Sequence, residues 1–287
     1  MRFFLAFAAA TVTNACAAEP IEEAAETASD GASVSIEKLW VADGFTDPEG
    51  VALTPDGNYF ISNVAGDSAD ADGEGWISIL STEGEILNEK WADGLDAPKG
   101  MTAHDGTLYV ADIDRIRRYD VATGENLGDI VVDGAVFLND VTVWRDNIMV
   151  SDSRTARIYS VDGDAVEVWL ESEEMIAGVN GLLGDGDRLL ISTMSTGSLF
   201  AADETGMLTT IATGMIDADG IGLVEGGGYM VSAWRGDIFH VSADGVVAKL
   251  QDTRAEEILQ NDLTVYGDTI IVPNWNPGTV TAWRIKQ

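Results

Sequence analysis

LNDVTVWRDNIMVSD, Leu138 to Asp152, is an apolar strand opened by an Asn-Asp pair, then a turn at Arg145 to Asn147, then a second strand. The same design recurs as PEGVALTPDGNYFIS from Pro48, PKGMTAHDGTLYVAD from Pro98, VNGLLGDGDRLLIST from Val179, ADGIGLVEGGGYMVS from Ala218 and QNDLTVYGDTIIVPN from Gln260. The second residue of each opening pair is Gly50, Gly100, Asp140, Gly181, Gly220 or Asp262, so the steps are 50, 40, 41, 39 and 42 residues. Paired strands at a period of about 40 to 45 residues are the mark of a four-stranded propeller blade. Six of them predict an all-β, six-bladed β-propeller, in which radial repetition leaves only short, protected sheet edges.

Working outward, VSIEKLWVADGF (Val34 to Phe45) precedes the first repeat and GTVTAWRIKQ (Gly278 to Gln287) finishes the sixth. A closed ring leaves no open sheet edge, so Ser35 to Asp43 is expected beside Thr279 to Ile285, the N-terminal strand completing the last blade. Trp76, Trp91, Trp169 and Trp283 come late in repeats and are expected between blades. Trp234 and Trp275 follow the second strand of their repeats, an end that lies either at the channel mouth or between blades.

The 16 Lys and Arg against 49 Asp and Glu give a net charge of -33. Such a surface repels nucleic acid and anionic membranes. Residues 1–16, MRFFLAFAAATVTNAC, carry one Arg and an apolar run too short to span a bilayer, the layout of an export signal. Cys16 is the single cysteine. It resembles a bacterial lipoprotein acceptor, although ordinary cleavage around it would serve export equally, and within a monomer it has no disulfide partner. Residues 17–33 are acidic and Ala-rich and are expected to be a disordered tether. Residues 34–287 form the propeller. The expected location is the periplasm or, with a lipid at Cys16, the outer membrane; the expected state is a monomer with a small-molecule substrate.

The innermost strand of a blade lines the central channel. A residue recurring at its start is therefore delivered six times to one ring, here Glu49, Lys99, Asn139, Asn180, Asp219 and Asn261. Polar side chains aimed at a common axis want a cation, and hard oxygen donors without Cys or His select Ca²⁺ or Mg²⁺. The irregular, high coordination of Ca²⁺ suits a ring assembled from separate blades. Lys99 either binds a substrate oxygen or offsets the acidic neighbours. Asp140 and Asp262 stand where the other repeats have Gly, in opposite blades. Side chains alternate along a strand, so an inward Asn139 turns Asp140 off the axis, where the two carboxylates are expected to hold the neighbouring Asn amides in orientation. The segment GDSADADGEGW (Gly66 to Trp76) lacks the first Asp and last Glu of an EF-hand loop and reads as a solvated loop overhanging the channel mouth.

PEGVALTPDGNYFISN, LNDVTV, VNGLL and DADGIGL together resemble the senescence marker protein 30, gluconolactonase and luciferin-regenerating enzyme family over all six repeats. The resemblance implies a calcium held by Glu49, Asn139, Asn180 and Asp219, with Asp219 as the catalytic carboxylate. It implies hydrolysis of lactones or related esters, with the metal polarising the carbonyl. Lys99, Asn261, Asp140, Asp262, Trp234 and Trp275 are the candidates for touching substrate or supporting the ligands. The rival readings are a non-catalytic propeller that binds a small ligand or a partner protein, and a strictosidine-synthase-like enzyme. His104 and His240 are not placed to form the histidine dyad of paraoxonase-type propellers.

Overall fold

Each repeat's two quoted strands continue into two more, and the computed structural model, which describes residues 34–287, arranges them as six antiparallel sheets around one axis. The expected export signal, Cys16 and the tether lie outside the described residues. The inner strands of the first five blades are Pro48–Leu53, Pro98–His104, Leu138–Trp144, Val179–Asp185 and Ala218–Leu223. In blade 6 the inner strand is broken into Leu259–Gln260 and Thr264–Tyr266. Ser35–Asp43 pairs antiparallel with Thr279–Lys286, from Ser35 opposite Lys286 to Asp43 opposite Thr279, so the first strand closes the last blade as the sequence predicts.

The apolar faces bury between blades. Six clusters form the core of the described residues, each joining one blade to the next. Ala52, Phe60 and Ile77 of blade 1 meet Met101, Leu108 and Val110 of blade 2, and Val51, Tyr59 and Ile61 meet Ile271, Val280 and Ala282 of blade 6 across the closure. The late tryptophans fill this layer largely as expected. Trp91 contacts Phe60 at 4.6 Å and Tyr119 at 6.0 Å, Trp169 meets Trp144 edge-on at 5.4 Å, and Trp283 lies in the wedge between blades 5 and 6. Trp76 is buried within blade 1, with Lys90 Nζ 4.2 Å from its ring centre.

The opening pairs are β-bulges. Leu138 faces Asp152 and Val141 faces Val150, so three steps on the inner strand match two on its neighbour. The same extra residue occurs at Pro48/Val51, Pro98/Met101, Val179/Leu182 and Ala218/Ile221. In blade 6, Gln260 faces Asn274 and Thr264 faces Ile271, again one residue in excess. A bulge bends its strand and re-aims side chains. A serine on the second strand secures four of them, since the N–H groups of Gly50, Asp140, Gly181 and Gly220 donate to Ser62, Ser151, Ser192 and Ser232 Oγ at 2.7, 3.0, 2.8 and 2.9 Å. Simple alternation therefore fails at these positions. Asp140 does not leave the channel; it lines it, as does Asp262.

Candidate functional site

The bulges divide the channel into two chambers. All six first residues of the pairs, Glu49, Lys99, Asn139, Asn180, Asp219 and Asn261, line one cavity of about 350 Å³. Asp140 and Asp262 line a second, about 300 Å³, with residues from every inner strand, among them Val51, Met101, Leu182 and Ile221. The sequence-predicted ring is thus brought together in space, and Trp234 and Trp275 join it on the first chamber.

Burial is severe in the ring. Glu49 is 6% exposed, Lys99 2%, Asn139 5%, Asn180 3%, Asp219 3% and Asn261 5%. A buried polar group needs a partner or costs free energy, so the partners decide each residue's role. Lys99 Nζ donates to Ser68 O and Ala97 O, both at 2.9 Å, and lies 4.4 Å from the Phe137 ring centre. Its donors are directed at two carbonyls and a π-face, which ties the Gly66 to Trp76 loop over the chamber. Burial pushes the ammonium down to about 8, against the pull of Glu49 and Asp112.

The amides are aimed by neighbours. Asn139 Nδ2 donates to Ser153 Oγ at 3.0 Å, and that hydroxyl donates to Val179 O at 2.6 Å, which turns the Asn139 oxygen to the chamber. Asn261 Nδ2 donates to Pro48 O of blade 1 at 3.2 Å, leaving its Oδ1 likewise free. Glu49 Oε2 is buried with no hydrogen-bond partner. Burial first, and the Asp219 charge second, hold the Glu49 carboxyl well above its usual range, with Lys99 opposing. Asp219 is pushed up to about 8 by burial, then by Asp140 and Asp217.

The lower carboxylates behave differently. Asp140 Oδ1 accepts from Val141 N and Oδ2 from Leu182 N of blade 4, both at 2.7 Å, so it stitches two inner strands and holds no Asn amide. Asp262 Oδ1 accepts from Leu263 N at 2.7 Å. The expected role of orienting amides belongs instead to Ser153 and to the Pro48 carbonyl. Burial raises Asp140 to about 7 against its two N–H donors, and holds Asp262 well above the carboxylate range together with Asp140, Asp219 and Glu49.

Above the ring the wall is apolar. Trp234 and Trp275 meet edge to face at 6.1 Å and 84°, and with Phe137 and Met194 they complete the chamber. Ser68 contributes from the acidic loop, which therefore does overhang the site. Ser153, Phe137, Met194 and the four bulge serines are the residues that sequence reasoning missed. The serines were visible as a Ser recurring near the end of the second strand in FIS, VSD, IST and MVS. His104 and His240 line neither chamber.

Whether a cation fits is decided by the donors. Two buried carboxylates and free amide oxygens present hard oxygen only, and the partnerless Glu49 Oε2 is the kind of atom a bound cation satisfies. Among the described residues no group of three or more His, Cys, Asp or Glu side chains is arranged as a metal site, so amides must complete any coordination here.

No protein-family model matches the sequence, and no curated protein matches it. Solved structures share the fold. A protein provisionally assigned as a gluconolactonase is 17% identical, with 89% of this chain and 93% of that one covered at a TM-score of 0.64. Virginiamycin B lyase from Staphylococcus aureus is 14% identical over 88% and 99% of the two chains, at 0.63. Aldose sugar dehydrogenase from Streptomyces coelicolor, a structure with bound PQQ, is 16% identical over 89% and 99%, at 0.66. At these identities the likeness supports the fold alone, the six blades being those of this chain's own sheets, and its structural neighbours include enzymes of several reaction classes.

Proposed function

We propose that this protein is a calcium-dependent hydrolase of lactones or related esters, with its site at the six-residue ring. The observation that supports it best is the pairing of Glu49 and Asp219. Two carboxylates buried on one cavity, one of them with a partnerless oxygen, are costly alone and become favourable around a dication.

Glu49, Asn139, Asn180 and Asp219 would hold the calcium. Bound there, it would supply Lewis-acid polarisation of the scissile carbonyl. The chain's own residues do the rest. Asp219 would take the proton of the attacking water on a carboxylate oxygen and return it to the leaving alkoxide as the acyl C–O bond breaks. Glu49 contributes charge alone. Ser153 keeps the Asn139 oxygen facing inward, and Lys99 fixes the Ser68 loop as a wall. Phe137, Met194, Trp234 and Trp275 exclude water and accept an apolar substituent.

A panel of lactones, aryl esters and phosphotriesters assayed with and without chelator tests the reading. Hydrolysis of at least one lactone or ester, lost in chelator and restored by calcium, is expected. No turnover on any of them, with no calcium found by elemental analysis, would remove the proposal. Export and acylation at Cys16 belong to the same picture of a periplasmic or lipid-anchored enzyme. They are tested by Cys16→Ser, which is expected to shift the protein from the membrane to the soluble periplasmic fraction.

A further inference from the structure

Arg154 lies against Phe137, a wall of the first chamber, without a carboxylate partner. Every other arginine of the described residues has a carboxylate oxygen within 3.7 Å. In a chain with a net charge of -33 an unpaired guanidinium is the exception, and this one is exposed. It is also fixed in place. Its guanidinium carbon lies 4.5 Å from the Phe137 ring centre, so that Phe137, a wall of the chamber, is flanked by Arg154 and by Lys99 at 4.4 Å. One buried carboxylate, Asp152, accepts from the backbone N–H groups of Val136, Phe137 and Arg154 at 2.7, 3.3 and 3.0 Å, so the ring and the guanidinium are presented by the same anchor. The residue between them and the ring is Ser153, which grips Asn139.

We propose that Arg154 is a specificity residue that meets an anionic group on the substrate, and that the substrate is a lactone or ester bearing a carboxylate. The assignment rests on the chamber being the substrate site. Lys99 cannot serve, because its donors are directed at Ser68 O, Ala97 O and Phe137. Arg154 keeps its planar fork free, the geometry that takes a carboxylate with two parallel hydrogen bonds. A monoanion is the fitting charge: one guanidinium balances one carboxylate, and the acidic field of the chain opposes anything more negative. The apolar wall of Phe137, Met194, Trp234 and Trp275 then receives the body of the molecule between its carboxylate and its ester.

The test compares 4-nitrophenyl hydrogen succinate with its neutral methyl ester on the full-length protein with calcium. Arg154→Gln is expected to raise KM for the anionic ester roughly tenfold, with kcat kept, while the neutral ester changes less than twofold; Arg154→Lys recovers part of the loss. Equal changes on both esters, or none on either, overturn the proposal. A second readout does not need turnover: calorimetric binding of 4-phenylbutyrate against 4-phenylbutyramide. Binding of the acid that weakens in Arg154→Gln while the amide is unaffected supports the anion site even if neither ester is hydrolysed, in which case the hydrolase reading alone fails. Acid binding that is the same in wild type and Arg154→Gln refutes it.

Discussion

Glu49 and Asp140 come from equivalent bulges, are both buried acids, and occupy adjacent layers of the same channel, yet their oxygens are spent in opposite ways. Asp140 gives one oxygen to Val141 N and the other to Leu182 N, so it acts as a staple between blades 3 and 4. Glu49 keeps a buried oxygen with no partner at all. Asp140, the second residue of its pair, joins blade to blade; Glu49, the first of its pair, is held ready for something the protein does not itself provide. What separates the two layers is where unsatisfied polarity is left, and not charge or burial.

The largest effect is expected from forcing the stapling layer apart. A Cβ at Gly220 would overlap the Asp262 carboxylate and the Leu263 backbone nitrogen, and one at Gly50 would sit 2.5 Å from Lys99 O. Backbone atoms of the next blade cannot step aside, so Gly220→Ala is expected to cost about 3 kcal/mol or to prevent folding. Gly186→Ala, at a turn with open space but φ +58, isolates the conformational penalty and is expected to cost about 1 kcal/mol. Urea unfolding of the two variants checks this, and similar losses would mean that the close approach of blades is unimportant.

The next effect distinguishes the layers by ligand. Calcium binding to the folded state alone adds about 4 kcal/mol at a thousandfold excess over Kd. Chelation of the wild type is therefore expected to lower Tm, and calcium to restore it. Glu49→Gln and Asp219→Asn should lose most of that increment. Asp140→Asn should lower Tm in both states, because an amide nitrogen cannot accept from Leu182 N or Val141 N, while keeping the calcium increment. Should Asp140→Asn abolish the increment and Glu49→Gln retain it, the assignment of the layers is reversed. Among the Glu49 and Asp219 variants hydrolysis separates further: at saturating calcium Glu49→Gln should recover most activity and Asp219→Asn little.

The pH dependence follows with a definite sign. Asp219 moves from 3.8 to about 8 on folding without metal, and Asp140 from 3.8 to about 7. Between those values the folded state binds more protons than the unfolded chain, so stability is fully present below about pH 4 for these groups and is lost as pH rises toward 8. The metal-free protein should therefore have a higher Tm at pH 5 than at pH 8. Calcium would compete with the proton on Asp219, so its stabilisation should grow over the same range. A calcium increment that shrinks from pH 5 to pH 8 would contradict the placement of the ion on Asp219.

The sequence carried the fold because the repeat is a local signal: six strand–turn–strand units at near-equal steps leave one radial arrangement, and the closing partners Ser35 to Asp43 and Thr279 to Ile285 follow from it. Glu49, Asn139, Asn180 and Asp219 were legible as a ring for the same reason. Asp140 was misjudged because period-two alternation holds only in a regular strand, and the bulge that suspends it depends on hydrogen bonds to serines on the neighbouring strand. The partners of Lys99 were not legible at all. Ser68 lies 31 residues away in a loop whose course no repeat constrains, and Phe137, with Arg154 stacked on it, reaches the chamber only through the turns that Asp152 organises.

The smallest effect tests those serines. Ser232 accepts one hydrogen bond, from Gly220 N, and blade 2 forms with Ala111 at the equivalent place, so Ser232→Ala is expected to cost only about 1 kcal/mol. Ser192 does more, accepting from Gly181 N and donating to the backbone carbonyl of Asp219. Ser192→Ala should therefore cost about twice as much. It should also loosen the one carboxylate that the proposed chemistry needs, lowering kcat and weakening calcium binding, whereas Ser232→Ala leaves both unchanged. Equal stability losses with equal activities in the two variants would show that Ser192 merely secures its bulge, and that the position of Asp219 is set by the packing of blade 5 alone.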